Sequence, residues 1–303
     1  MKEWATDAPA LEVHDVRDFI RLKIPPRDVL LSPWLESASL AMIYAARGVG
    51  KTHFAMHIAH ALATGGRFLQ WQAAKAVPVL YVDGEMPAPD MQARWRALFD
   101  ATGREPDPGM LRLVSRDLQP FNDMPNLADA DGQNVIGGKV GNARVIILDN
   151  LSSLIHGAKE NEAEGWEPVG QWAIKQRAQG RTLIFIHHAG KGGSQRGTSK
   201  REDLLDVVIK LQRPTDYKPE QGARFAIHFD KARSLYGAAV APFEAQLSMD
   251  DDGRMEWIVS EAEDHSQLLE FQAKGFSLSK IAGEMGCDKS TVKRRLDKLR
   301  DAA

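Results

Sequence analysis

One cysteine in 303 residues, Cys287, excludes an internal disulfide and leaves no thiolate cluster for a structural zinc. Long apolar runs are missing too. Val145-Ile146-Ile147-Leu148 is typical of the aliphatic stretches, far short of the roughly 20 residues a membrane span needs. The opening residues, Met1-Lys2-Glu3-Trp4-Ala5-Thr6-Asp7, lack the apolar core of a signal peptide. Nor does one sign of charge prevail: 39 Lys and Arg against 41 Asp and Glu leave a net charge of −2, so the whole chain is no electrostatic glove for nucleic acid. Internal repeats and low-complexity tracts are lacking. These absences lead to the expectation of a cytoplasmic protein with no membrane partner. The content that remains, 43% hydrophobic and 26% charged residues, is that of an ordinary globular chain. At about 100–200 residues per domain, it has room for one large domain and a small one around a sizeable core.

Charge is distributed unevenly. Residues 249–264 hold seven acidic residues against Arg254 alone, whereas 289–300 carry Lys289, Lys293, Arg294, Arg295, Lys298 and Arg300 against Asp297. The change of sign near residue 264 marks a boundary. It sets a small unit over 265–303 apart from the rest, which is taken as a lead-in over 1–27 and a large domain over 28–260.

Most of the chain alternates short apolar runs with amphipathic stretches. Strand-like runs occur at 40–44, 77–82, 111–115, 144–148 and 182–186, then more closely at 205–211, 224–229 and 255–259. Between the earlier ones, Phe54, Ile58 and Leu62 make a helical stripe ended by Gly65-Gly66. Met91, Trp95 and Leu98 make another, entered through Pro87 and Pro89. Apolar strands separated by helices predict an α/β fold with a mostly parallel sheet covered on both faces. The crowded strands from 205 to 260 predict antiparallel additions at one edge. In the lead-in, Val16 and Ile20 suggest a short helix before Pro25-Pro26.

The strongest motif is Ala45-Ala46-Arg47-Gly48-Val49-Gly50-Lys51-Thr52, set between a strand and a helix. Gly48 and Gly50 let successive backbone N–H groups face an anion, and the helix N-terminus adds partial positive charge. Arg47, Gly48, Val49, Gly50, Lys51 and Thr52 would cradle phosphates, Lys51 reaching the β- and γ-phosphates and the Thr52 hydroxyl a Mg²⁺ ion. Ala45 stands where the phosphate-loop pattern has its first glycine, which is tolerable if that residue needs no positive φ. The motif predicts binding of a nucleoside triphosphate with Mg²⁺.

Hydrolysis also needs a metal-holding carboxylate and a group that positions water. Asp149 ends an apolar run, the form of a buried strand that delivers an acid to Mg²⁺. Glu85 follows Val79-Leu80-Tyr81-Val82-Asp83-Gly84, just past a strand end where parallel sheets place ligands, with Asp83 as its rival for polarising water. His187-His188 ends another apolar run; neighbours on a strand point to opposite faces, so one imidazole should face the γ-phosphate and the other the interior. His53, His57 and His60 share a helical face, read as the polar side of the helix behind the phosphate loop rather than a metal site.

Taken in order, these residues resemble the RecA-type ATPases, in particular the branch of RepA-type plasmid helicases and DnaB-type replicative helicases. The likeness runs from about residue 28 to 245 and rests on A-R-G-V-G-K-T, Y-V-D-G-E, I-I-L-D-N, I-F-I-H-H with its Gly-rich sequel, and Lys231-Ala232-Arg233. The resemblance implies a RecA-like core, Glu85 as activator of water, and His187 or His188 as γ-phosphate sensor. It also implies that Lys231 and Arg233 act as fingers in a neighbouring subunit's site, within a homo-oligomeric ring such as a hexamer. By the same resemblance the loop 189–201, with Lys191, Arg196, Lys200 and Arg201 among glycines and serines, would track single-stranded DNA through the ring, though it lacks aromatic stacking platforms. Too few residues precede position 28 for the helical N-terminal domain of DnaB-type helicases, which favours the compact RepA-like branch.

Residues 265–303 look like a helix-turn-helix: Leu268, Leu269 and Phe271 in a first helix, Ser277 capping a second with Leu278, Ile281, Ala282 and Met285, then a third bearing Val292, Leu296 and Leu299. Lys289, Ser290, Thr291, Lys293 and Arg294 would face DNA, although many such units only pack against protein. Two functions follow as expectations: a helicase or translocase in the replication of a plasmid, phage or other mobile element, or a DNA-site-bound regulatory ATPase that does not unwind.

Overall fold

The computed structural model describes residues 11–156, 163–190, 200–262, 266–285 and 287–301. Nine runs of alternating or continuous apolar character become strands of one sheet. They are β1 (Leu40–Ala45), β2 (Val79–Asp83), β3 (Leu111–Ser115), β4 (Val145–Asp149), β5 (Thr182–His188), β6 (Val207–Gln212), β7 (Arg224–Ala232), β8 (Phe243–Met249) and β9 (Met255–Glu261). Their order across the sheet is β9-β8-β7-β6-β1-β5-β4-β2-β3. From β3 to β6 every neighbouring pair is parallel; from β6 to β9 every pair is antiparallel. A mostly parallel α/β sheet with antiparallel additions at one edge is what the spacing of the runs predicts, and it matches a RecA-like core.

Helices cover both faces. On one lie α1 (Lys51–Thr64) and α2 (Ala88–Thr102), on the other α3 (Ala130–Val140) and α4 (Ala163–Ala178). The pleat sorts the central strand by the two-residue period: Ala41, Ile43 and Ala45 join the core beneath α1, while Leu40, Met42 and Tyr44 join the core beneath α3 and α4. Phe54 of α1 anchors its side through edge-on contacts with Phe68, Trp71 and Phe225, at 5.1, 5.7 and 5.7 Å between ring centres. Trp257 of β9 reaches Phe68 at 5.6 Å, so the antiparallel half bends over α1 instead of running out flat.

Several elements lie outside the sequence reading: β8, α3, α4, and the two-stranded ribbons Val29–Leu31 with Leu35–Glu36 and Arg67–Phe68 with Trp71–Gln72. The lead-in has one helical turn, Val16–Phe19, capped by the Asp15 carboxylate, with Val16 and Ile20 both exposed. One reading is corrected. His57 and His60 are not a polar side of α1; they are buried, because Phe68, Trp257 and Phe99 cover their rings. Each ring is satisfied by a backbone carbonyl, His57 Nδ1 by His53 at 2.7 Å and His60 Nε2 by Arg104 at 2.8 Å.

Three further helices, α5 (Ser266–Ala273), α6 (Leu278–Glu284) and α7 (Lys289–Asp301), pack around Leu268, Ile281, Ala282, Val292 and Leu296 as a cluster of their own. The Ser277 hydroxyl accepts from the Lys280 N–H at 3.3 Å and so caps α6. Among the described residues no helix is long and apolar enough to cross a membrane.

Candidate active site

The parallel strands end at a cleft of about 710 Å³. β1 delivers the phosphate loop to it, and the backbone explains the glycines. Gly48 has φ 74° and Gly50 φ 120°, both costly for any other residue, and a Cβ on Gly50 would stand 2.9 Å from the Ala223 Cβ. Ala45 is still strand, outside the positive-φ positions, which is why alanine serves where the pattern has glycine.

Lys51 opens α1 and turns its ammonium back onto the loop, donating to the Ala45 carbonyl at 3.2 Å and the Ala46 carbonyl at 2.9 Å. Burial pulls its pKa down to about 8, opposed by the Asp149 and Glu85 carboxylates. Thr52 bonds to the Asp149 carboxylate, which also accepts from the Tyr81 hydroxyl at 2.7 Å. Asp149 is wholly buried, and desolvation raises its pKa against those two bonds and Lys51. A hydroxyl and a carboxylate side by side, next to a lysine, form the hard oxygen donor set that suits Mg²⁺. The residues present therefore fit a magnesium nucleotide, with Thr52 and Asp149 to hold the ion and Lys51 and the loop N–H groups to hold phosphates.

Facing them is the β2–α2 turn. The Gly84 N–H donates to the Asp149 carbonyl at 2.8 Å, and a Cβ on Gly84 would clash with Ser153, so glycine lets this turn close against the end of β4. The closure places Glu85 in the cleft, where its Oε2 accepts from the Asn150 amide and lies 3.7 Å from His188 Nε2. The two histidines do point to opposite faces: His188 lines the cleft with Glu85, and His187, 1% exposed, is interior. Asp83 is turned inward. It is 2% exposed, and its Oδ1 accepts from the Glu85 and Met86 N–H groups at 3.2 and 2.8 Å.

Sequence reasoning missed Asn150, Tyr81 and Arg94. Arg94 lines the cleft from α2, on the same helical face as Met91 and Leu98. A charged residue on an otherwise core-facing stripe was the available signal. The far wall, Glu220–Ala223 and Gln246–Met249, comes from the bent antiparallel half.

Other expected residues lie elsewhere. The Lys231 ammonium donates to the Glu202 carbonyl, and Arg233 Nη2 donates to the Asp203 carbonyl at 2.6 Å. Ala232 is level with Val207, and Val207 with Ala41, four residues back from Ala45. The pair thus sits about 13 Å along the strands from its own phosphate loop, at about 3.3 Å per residue. Lys191 and Arg196 lie outside the described residues, and Lys200 and Arg201 open the short helix Lys200–Asp203. On α7, Lys289, Ser290, Lys293 and Arg294 are exposed and Thr291 is half-buried.

Burial, then the neighbouring Asp149, raises the Asp83 pKa to about 7. A carboxyl whose pKa is raised on folding costs stability as pH climbs from its unfolded value near 4 to 7, and the penalty stays constant above. Asp83→Asn keeps the Oδ1 acceptor and removes that cost. It should therefore raise stability at pH 8, on the order of 1–4 kcal/mol, and leave it little changed at pH 4. Thermal unfolding at the two pH values checks this, and equal shifts at both would refute it.

Residues 7–194 match the model of a family described as an AAA domain. Among solved structures, a KaiC-like protein from the hyperthermophilic archaeon Pyrococcus horikoshii is similar at 16% identity and a TM-score of 0.49, covering 76% of this chain and 93% of that one.

Proposed function

Since the chain belongs to the AAA domain family and is a P-loop ATPase, we propose that it hydrolyses ATP with Mg²⁺ in a homo-oligomeric ring and drives a DNA helicase or translocase. The observation that carries the reading is the split between two ends of the sheet. Lys51, Thr52, Asp149, Glu85 and His188 gather in one cleft, while Lys231 and Arg233 stand too far away to serve it. A cation pair that cannot reach its own phosphates is suited to a neighbour's.

In this reading the loop N–H groups and Lys51 bind and orient the phosphates. The bound magnesium, held by Thr52 and Asp149, supplies charge neutralisation. Glu85, oriented by the Asn150 amide, positions water and takes its proton at a carboxylate oxygen, and His188 beside it reports on the γ-phosphate. Arg233 and Lys231 of the next subunit complete the charge stabilisation. Resemblance to RepA-type helicases alone supports replication of a plasmid, phage or other mobile element as the setting, and a hexamer as the ring.

A second reading has its own support. The exposed Lys289, Ser290, Lys293 and Arg294 on α7 suit duplex DNA, as in a site-bound regulatory ATPase with a helix-turn-helix. ATPase rate against protein concentration, with and without single-stranded and duplex DNA and with oligomer mass read in parallel, separates the two. The motor requires specific activity that rises steeply with assembly and responds to single strands. A concentration-independent rate in a monomer, indifferent to single strands, would remove the ring and favour the regulator.

A further inference from the structure

A second cleft, of about 270 Å³, lies on the other side of the phosphate loop. Tyr44, Ala45, Ala46, Arg47 and Ala189 form one wall; Lys210, Gln212 and Arg213, at the end of β6, form the other. Lys210 is level with Tyr44 in the parallel ladder, and the pleat puts Gln212 on the same face. Arg47, which also lines the nucleotide cleft, Lys210 and Arg213 line this one, and among the described residues none of them pairs with a carboxylate. Asp230, on the adjoining strand, is engaged by the Tyr44 hydroxyl.

Arg213 is fixed in place. Its Nη2 donates to the Gly48 carbonyl at 2.8 Å, and its guanidinium lies 4.1 Å from the centre of the Tyr217 ring. A guanidinium has five N–H donors, so most remain for an anion. With no carboxylate paired to these cations among the described residues, the concavity attracts an anion.

We propose that this cleft binds a backbone phosphate of single-stranded DNA, with Lys210 and Arg213 as its ligands. The inference rests on the DNA-motor reading and gives it a site on the rigid sheet. The position supports that occupant. Ala189, on the cleft wall, lies two residues before Lys191 in sequence, so the chain enters the basic stretch that holds Lys191, Arg196, Lys200 and Arg201 from this cleft. Apart from Tyr44, whose hydroxyl is already bonded, the lining has no aromatic platform among the described residues, which suits phosphate contact without base readout. The site also shares a wall with the nucleotide cleft. Lys51 holds the Ala45 and Ala46 carbonyls from one side and Arg213 holds the Gly48 carbonyl from the other, so both ligands press on one turn of backbone.

Lys210 touches nothing in the nucleotide cleft, so Lys210→Gln tests the site without disturbing ATP. Binding of fluorescent oligo-dT is measured over a range of salt, beside ATP affinity and oligomer mass, for wild type, Lys210→Gln and Lys210→Arg. Each phosphate contact on a single strand contributes about 0.7 to the slope of log affinity against log salt. Lys210→Gln should lower the slope by about 0.7 for each subunit that contacts the strand, Lys210→Arg should restore it, and ATP affinity should not change. A wild-type slope in Lys210→Gln, while wild type binds oligo-dT, would overturn the site and spare the motor. A change in oligomer mass without a change in slope would assign the cleft to contacts between copies and overturn it also. Wild type that fails to bind oligo-dT with or without ATP would remove the motor reading itself, and this site with it.

Discussion

Arg233→Ala abolishes ATP turnover and leaves ATP binding in place: this is the largest effect the proposed ring predicts. Arginine fingers contribute about 10³–10⁵ in rate, so the variant should fall to the level of an isolated subunit. Within one subunit both basic residues are occupied at home. Arg233 Nη2 and the Lys231 ammonium hold the last carbonyls of the helix Lys200–Asp203, where the helix dipole favours positive charge. Burial, then the nearby Arg233, lowers the Lys231 pKa against the pull of Asp203, Glu202 and Asp206. Mixing gives the sharper test. Rings assembled from Arg233→Ala and Glu85→Gln subunits contain interfaces where an intact cleft meets an intact finger, so part of the turnover should return. A residue acting in its own subunit would recover nothing on mixing, and full turnover in Arg233→Ala alone would sink the assignment.

How much of this was legible in the sequence follows from how local each signal is. The phosphate loop is complete within consecutive residues: Gly48 and Gly50 supply the positive φ values, and Lys51 and Thr52 open the helix. Asp149 and His188 end strands buried along their whole length, which need no partner in sequence to be recognised. β8 escaped because half of Phe243–Met249 is polar or half-buried; Phe243 and Ala245 face the core only because the antiparallel half bends over α1. α3 and α4 escaped because Gly137, Gly138 and Pro168 interrupt patterns that tertiary packing nevertheless keeps helical. His60 was misread for a related reason. The carbonyl that makes its burial tolerable belongs to Arg104, 44 residues along the chain, and no helical wheel contains it. Arg94 is the instructive miss, since its function as a cleft residue shows in the sequence only as a flaw in an apolar stripe.

Glu85→Gln should lower turnover by about 10²–10⁴ with ATP binding retained, the loss typical of removing a positioned general base. Two carboxylates compete for that role, and their surroundings separate them. Asp83 is 2% exposed and does not line the cleft, with one oxygen committed to the N–H groups that shape the Glu85 turn. Glu85 has a 59% exposed side chain aimed into the cleft, with Asn150 and His188 on the same oxygen. The glutamine is isosteric and keeps an oxygen for Asn150, so the turn survives while the proton acceptor is lost. Asp83→Asn keeps the turn as well, and so provides the control: turnover near wild type beside the higher stability at pH 8. Single-turnover hydrolysis with ATP binding measured separately distinguishes chemistry from affinity in both variants. If Asp83→Asn lost as much turnover as Glu85→Gln at equal ATP affinity, the water would be held by the buried pair at the ends of β2 and β4, and the exposed turn would serve only to close the cleft.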